Sequence, residues 1–365
     1  MLHPHAPTHK QVNFQVTHPV TILSLATRTA PHSVDQETAL NVAREVMGDR
    51  FDGFNRMAGV FVNAGIQHRQ LAQPIDWYRR PHDFVERTQI YLEVALDLFV
   101  AAAEQALTDA GLEADRVDTI VTVSSTGIST PSLEARAMAR MGFRHDVARV
   151  PVFGLGCAGG VSGLGLASRL ARTDPDHVVL MVTVELCSLA LRTATVDKAD
   201  IISAALFGDG AAACVLRHGE GGFAEVIGTA ETTWPDTLDI MGWQLEPDGL
   251  GVVLNRAIPA FAARHLRGAV EDMLAKQGLG LDEIDRFICH PGGAKVVDAI
   301  EGALSLNQGS LDAEREILRR HGNMSAPTAL FVLDAVRRTA MPERSLLTAL
   351  GPGFTASTVT LRRAA

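Results

Sequence analysis

The chain of 365 residues contains only four cysteines, Cys157, Cys187, Cys214 and Cys289, and no two stand at CxxC spacing. A disulfide framework and a zinc ribbon are both excluded by that count. Aromatics are scarce, with 14 Phe, 3 Trp and 2 Tyr, and basic residues are outnumbered, 33 against 42 acidic, for a net charge of −9. Such a chain lacks the cationic, base-stacking surface that a nucleic acid needs, so no nucleic-acid partner is expected. Long apolar runs are missing too: the longest, Val178 to Leu191, is interrupted by Glu185 and is too short to span a bilayer. The N-terminal tail is rich in histidine and proline and has no apolar signal-peptide core. These absences lead us to expect a soluble protein of a reducing compartment, the cytoplasm.

What the chain does have is enough apolar material for a large core, 47% hydrophobic against 21% charged, and more length than one core ordinarily uses. Apolar runs of strand length (Val117–Val123, Val178–Val184, Ala211–Leu216, Phe287–Ile288, Leu346–Leu350) alternate with stretches of helical periodicity (Thr88–Ala110, Pro131–Met141, Gly159–Ala171, Arg264–Gln277, Ser325–Arg338). That alternation is the mark of an α/β layered fold. The segment Glu104 to Asp118 can be laid over Glu271 to Asp285, an offset of 271 − 104 = 167, with Glu, Leu, Gly, Leu, Asp and Asp recurring. At the same offset Val178–Val184 falls on Ser345–Gly351, and one residue less brings Gly156-Cys157 onto Gly322-Asn323. Three matches in register favour a duplication. They predict a tail over 1–19, one half over 20–230, and a second over 231–365, packed as a single body.

The segment Gly154-Leu-Gly156-Cys157-Ala-Gly159-Gly160 satisfies the dinucleotide pattern GxGxxG. Its context argues against a cofactor loop: it does not open the domain, and no acidic strand end follows about 20 residues on. A cysteine on a tight strand-to-helix turn reads better as a nucleophile, its thiol made acidic by the helix start. Such a nucleophile needs a base and a donor for an oxyanion. His290 ends an apolar strand and runs into Pro291-Gly292-Gly293, and Asn323 stands at the duplicate position of Cys157. Cys157, His290 and Asn323 thus form a candidate Cys-His-Asn constellation.

From Val20 to its end the chain resembles the type III polyketide synthases, the chalcone-synthase-like branch of the thiolase superfamily. Five motifs carry the likeness in order: Gly154-Leu-Gly-Cys157-Ala-Gly-Gly, Ala205-Leu-Phe207-Gly-Asp209-Gly-Ala, His290-Pro-Gly-Gly293, Gly322-Asn323-Met-Ser and Gly351-Pro352-Gly353-Phe. The resemblance implies a thiolase-type five-layered αβαβα fold built from two duplicated halves, and a homodimer. It also implies that Cys157 carries the acyl chain, while His290 and Asn323 stabilise the enolate left when a malonyl thioester loses CO2. Phe207 would gate the cavity, which Cys187, Ala190, Val252 and the Gly351–Gly353 loop would line. No metal or redox cofactor is called for.

Two departures from the plant enzymes matter. Val252 stands where a second gatekeeper Phe is expected, and Ala190 where a cavity-lining Thr is expected; both remove bulk and predict room for an aliphatic starter. The Glu185-Leu-Cys187-Ser-Leu pattern and Trp77-Tyr78 resemble bacterial alkylpyrone and alkylresorcinol synthases. Of the basic residues that meet CoA phosphates in the plant enzymes only Arg56 matches; Arg56, Arg69 and the loop Gly292, Gly293, Ala294 are the candidates, with delivery of the starter by an acyl carrier protein as the other possibility. The competing enzyme is a ketoacyl-ACP synthase III-like catalyst of one condensation. A non-catalytic thiolase-fold partner and a dinucleotide-binding module would both keep their function after loss of Cys157.

Overall fold

The computed structural model describes residues 19–191, 196–246 and 249–365; the expected tail, apart from Pro19, lies outside the described residues. In chain order the strands are β1 Val20–Thr29, β2 His32–Asp35, β3 His68–Leu71, β4 Thr119–Val123, β5 Ala148–Val152, β6 Val178–Leu186, β7 Asp209–His218, β8 Ala224–Thr233, β9 Met241–Glu246, β10 Gly249–Leu254, β11 Arg286–Cys289, β12 Arg344–Gly351 and β13 Thr355–Arg363. The helices are α1 Gln36–Met47, α2 Phe54–Met57, α3 Gly59–Asn63, α4 Phe84–Ala110, α5 Leu133–Met141, α6 Gly159–Ala171, α7 Lys198–Leu206, α8 Ile258–Ala275, α9 Ala294–Ala303, α10 Asp312–His321 and α11 Pro327–Thr339.

Nine strands lie in the order β11-β12-β13-β8-β1-β7-β6-β4-β5. The central joint is thin, since β1 and β8 share only the pairs Thr21↔Glu225 and Ile22↔Ala224. On one side of the joint β4 and β6 run parallel, then β6, β7 and β1 alternate. On the other side β11 and β12 run parallel, then β12, β13 and β8 alternate. The topology occurs twice, with β5 as an extra edge strand in the first copy. Register refines the sequence comparison: Thr119 pairs with Val179 and Arg286 with Ser345, offsets of 286 − 119 = 167 and 345 − 179 = 166. The duplicate strands β6 and β12 therefore superpose at 166 rather than the 167 expected, because the second copy is one residue shorter between its first two strands. The boundary expected at 230/231 falls inside β8, whose whole length pairs with β13.

Three apolar clusters define the layers. The outer helices α4 and α5 bury Ala95, Phe99, Ala103 and Leu133 on Ile120, Leu180 and Val215. On the far side α8 and α9 bury Leu266, Val270, Val297 and Ile300 on Phe287, Leu346 and Ala356. Between the two halves of the nine-stranded sheet, α6 and α11 bring Val161, Leu164, Leu330 and Val332 against Val121, Met181, Leu347 and Val359. The order is αβαβα, the expected five-layered thiolase-type fold. It explains why β6 is buried at every position and is apolar at all but Thr183 and Glu185: helices cover both its faces. The two inner helices nearly touch. A Cβ on Gly160 would stand 2.2 Å from the carbonyl oxygen of Ala326, so α6 must begin with glycine there. Among the described residues no helix is long and apolar enough to cross a membrane.

Candidate active site

Cys157 sits on a single turn of 3-10 helix, Gly156–Ala158, between β5 and α6. Gly156 has φ +48°, and a Cβ there would meet Pro352 Cδ at 2.8 Å. Gly351 is equally confined, its Cβ position lying 2.5 Å from Ala158 Cβ. The Gly351–Gly353 loop is thus pressed onto the nucleophile turn. Pro352 fills the space a pyrophosphate would need, which disposes of the dinucleotide reading of Gly154, Gly156 and Gly159.

Asn323 meets the thiol from the opposite half. Its amide atoms Oδ1 and Nδ2 are both 4.0 Å from Cys157 Sγ. The amide is held at both ends: Oδ1 accepts from the Ser325 N–H at 2.8 Å and Nδ2 donates to the Gly292 carbonyl at 3.3 Å. Ser325 adopts φ +58°, which turns its N–H back onto the amide. His290 follows β11 and is fixed by its backbone, with N–H donating to Thr348 O at 2.8 Å. Its side chain is buried, and neither ring nitrogen has a hydrogen-bond partner among the described residues. A buried imidazole with both nitrogens free is ready to take a proton or an oxyanion.

The electrostatics correct one expectation. Burial pushes the Cys157 thiol up to about 11, outweighing the hydrogen bonds from Ser325 and Asn323 that pull it down. Burial also pushes His290 down to about 4. For both groups desolvation is the largest cause, so burial disfavours the thiolate and the imidazolium alike in the resting structure. Beneath it Glu185, fully buried at the end of β6, is pushed by burial up to about 8, although Ser125 N–H and the Thr126 hydroxyl donate to it at 2.9 and 2.7 Å.

Phe207 bridges to Asn323 by a parallel backbone contact, Asn323 N–H donating to Leu206 O at 2.9 Å and Gly208 N–H to Asn323 O at 3.0 Å. Of the expected cavity residues, Phe207, Cys187, Ala190 and Val252 line one chamber, which continues beneath α1 along Ala39, Val42, Val46 and Met47; Gly351, Pro352 and Gly353 do not line it and pack on the nucleophile turn instead. The missing bulk at position 252 is partly restored by a residue that sequence reasoning passed over. Trp243 is the cross-strand partner of Val252 in the β9–β10 hairpin, and its ring centroid lies 6.4 Å from that of Phe207. Only the hairpin register reveals it, since the two positions are nine residues apart (252 − 243) in the chain.

Of the candidates for CoA, Arg56 is exposed on α2 and Gly292, Gly293 and Ala294 are half-buried at the start of α9. The chain just after α3 packs on this loop, a Cβ on Gly65 standing 3.5 Å from Ala294 Cβ. Arg69 does not belong with them. It is 3% exposed and lines the interior chamber, where a hydrated phosphate cannot reach.

Comparison with known proteins agrees with this geometry. The chain matches the family described as "Chalcone and stilbene synthases, N-terminal domain" over residues 79–219 and its C-terminal counterpart over residues 225–365. It is 42% identical over 308 residues to the 1,3,6,8-tetrahydroxynaphthalene synthase of Streptomyces peucetius subsp. caesius, covering 82% of this chain and 81% of that one. Type III polyketide synthase A of Arabidopsis thaliana is 31% identical over 283 residues, 74% of this chain and 72% of that one. The crystal structure of the 1,3,6,8-tetrahydroxynaphthalene synthase of Streptomyces coelicolor A3(2), a bacterial type III polyketide synthase, superposes with a TM-score of 0.89 at 26% identity, covering 94% of this chain and 99% of that one. The chain belongs to the chalcone and stilbene synthase family and is a type III polyketide synthase, an enzyme of the acyltransferase type.

Proposed function

We propose that this synthase loads a medium- or long-chain acyl starter on Cys157, extends it with malonyl-CoA, and cyclises the chain to an alkylpyrone or alkylresorcinol. The observation that carries the reading is the chamber itself. It runs from Phe207, Cys187, Ala190 and Val252 under the apolar face of α1, a lining suited to hydrocarbon.

In the mechanism we infer, the Cys157 thiol gives its proton to His290 as Sγ attacks the starter thioester, and that proton passes on to the departing sulfur, so that CoA leaves as its thiol. Burial disfavours both charged forms, which supports moving the proton within the attack itself. A malonyl thioester then binds with its carbonyl oxygen toward His290 and the Asn323 Nδ2–H. Its carboxylate leaves as CO2, and the freed electron pair becomes an enolate whose oxygen those donors hold. The enolate carbon attacks the Cys157 thioester carbonyl and the C–S bond breaks with its electron pair on Sγ; the lengthened chain, now a thioester of the extender's CoA, is then attacked by Sγ, which releases that CoA and holds the chain for another round. Each aimed donor contributes about 3 kcal/mol to such a step. The carbanion comes from the malonyl carboxylate, so neither metal nor redox cofactor enters. Arg56 and the Gly292–Ala294 loop are our candidates for holding CoA, with acyl carrier protein as the alternative carrier of the starter, in a cytoplasmic homodimer.

Incubation with malonyl-CoA and a ladder of acyl-CoAs from C2 to C18, read by product mass, tests the reading. Pyrone or resorcinol masses that track starter length are expected. A second reading is favoured by Trp243, whose bulk stands beside the chamber residues Phe207 and Val252, and by the likeness to 1,3,6,8-tetrahydroxynaphthalene synthases. In that case one product forms whatever acyl-CoA is added. A product with a single added ketide unit would instead identify a one-condensation enzyme.

A further inference from the structure

The chamber under α1 is apolar apart from the Cys187 thiol and four polar side chains, Arg69, Tyr78, Ser188 and Ser203. Three of the four are occupied within the protein. Tyr78 Oη and Ser188 Oγ are 2.6 Å apart, Ser188 Oγ also donates to Asp209, and Ser203 Oγ donates to Ala199 O at 2.6 Å. Arg69 differs. It is 3% exposed, and its Nη1 has no hydrogen-bond partner among the described residues.

The nearest opposite charge does not supply one. The Asp209 carboxylate accepts from Ala72 N–H at 2.6 Å, Ser188 N–H at 2.8 Å and the Ser188 hydroxyl, so it lends Arg69 Coulomb attraction without a bond. A buried guanidinium N–H left unpaired is costly, and native proteins keep few of them. The residue also stands close to the candidate chemistry: Cβ atoms built on Gly208 and Gly322, the neighbours of Phe207 and Asn323, would lie 3.3 and 3.5 Å from Arg69 Cβ.

We propose that Arg69 is a specificity-determining residue whose Nη1–H donates to an acceptor oxygen on the acyl chain held in this chamber. The occupant is then an oxygen-bearing acyl chain and not plain hydrocarbon. The inference rests on reading the chamber as the acyl site. That oxygen has two sources: the starter brings it as a keto, hydroxyl or carboxylate group, or the first condensation creates it as a ketone.

Matched starters separate these cases. Wild type, Arg69→Met and Arg69→Lys are given decanoyl-CoA, 3-oxodecanoyl-CoA and the ω-carboxylated mono-CoA thioester of the same length. Acylation of Cys157 is read by intact mass without malonyl-CoA, and product length with it. If the starter brings the oxygen, Arg69→Met loses about tenfold to a hundredfold in kcat/KM for the oxygenated starter relative to decanoyl-CoA, and Lys recovers part. If condensation makes it, loading is equal for all starters but later extensions slow by that factor and products shorten. One common factor across all starters and steps, as a purely structural partner of Asp209 would give, overturns the proposal; so does no change. Should Arg69→Met fail to fold, equal use of the three starters by wild type, with unaltered product length in Arg69→Lys, overturns it as well. No acylation of wild type by any starter overturns the acyl-chamber reading and this inference together, whereas ready acylation without discrimination among starters, with extension and product length unchanged in the Arg69 variants, overturns this inference alone.

Discussion

The starts of the two inner helices occupy duplicate positions and do different work. In the first half α6 follows Gly156-Cys157-Ala158, and in the second α11 follows Asn323-Met-Ser-Ala326, 323 − 157 = 166 residues later. Where they approach, one side gives way and the other fills: Gly159 and Gly160 stand against Ala326 and its carbonyl. The elements that lead in also differ. The extra edge strand β5 delivers the chain to Cys157, whereas α10 delivers it to Asn323 and packs beside β3, the Gln67 N–H donating to Arg319 O at 2.8 Å. Duplication supplied two helix starts aimed at each other. Chemistry then required only that one carry a nucleophile and the other a donor.

The sharpest way to break the comparison is to remove each partner in turn. Cys157→Ala is expected to lower condensation by about a thousandfold or more while leaving the melting temperature nearly unchanged, because the turn already alternates small residues. Asn323→Ala is expected to cost about a hundredfold to a thousandfold in malonyl-CoA decarboxylation measured without a starter, since it deletes one aimed donor. Comparable rates in both variants and wild type would mean the paired helix starts are scaffolding only. Packing asymmetry gives the next test, by thermal or urea unfolding. Gly160→Ala forces a Cβ onto Ala326 O and is expected to destabilise by about 1–3 kcal/mol. Gly268→Ala, on an exposed position of α8 with nothing within 4 Å, is expected to stabilise by about 0.4–1 kcal/mol.

The duplication could be read from the chain because the Glu-Leu-Gly-Leu-Asp signature lies at a helix end and strand start, where turn chemistry restricts choice. The five strands and five helices read from periodicity all exist. Other strands escaped notice for physical reasons. β13, Thr-Ala-Ser-Thr-Val-Thr, is mostly buried yet polar in composition, because its hydroxyls find partners there: Ser357 Oγ lies 2.7 Å from Ser162 Oγ of α6, and Thr358 Oγ1 reaches Ala230 O of β8 at 3.4 Å. Cys157 and Asn323 could be paired through the repeat, but Trp243 and Arg69 could not be placed. Trp243 needs the hairpin register, and Arg69 is indistinguishable from a surface arginine until β3 is seen to run inward beside Gly208.

The smallest expected effect concerns pH, and it sets a buried acid of the first half against a buried base of the second. Glu185 has its folded pKa raised by burial from 4.5 to about 8, so it binds a proton in the fold that the unfolded chain releases above pH 4.5; stability from this group falls as pH rises from 4.5 to 8. His290 has its folded pKa lowered by burial from 6.5 to about 4, so the unfolded chain binds the extra proton between those values, and stability rises with pH across them. Between pH 7 and pH 5 each group is worth about 2 kcal/mol, of opposite sign, and in wild type the two largely cancel. Glu185→Gln leaves the histidine term, and its melting temperature is expected to drop by a few degrees relative to wild type on going from pH 7 to pH 5. His290→Gln leaves the acid term and is expected to move the other way. Other titrating groups are common to both variants, so the difference between the two slopes isolates this pair. Equal slopes would show that both groups keep their ordinary pKa values, and with it that the site is wetter than its burial implies; one flat slope would show the same of the group that variant retains.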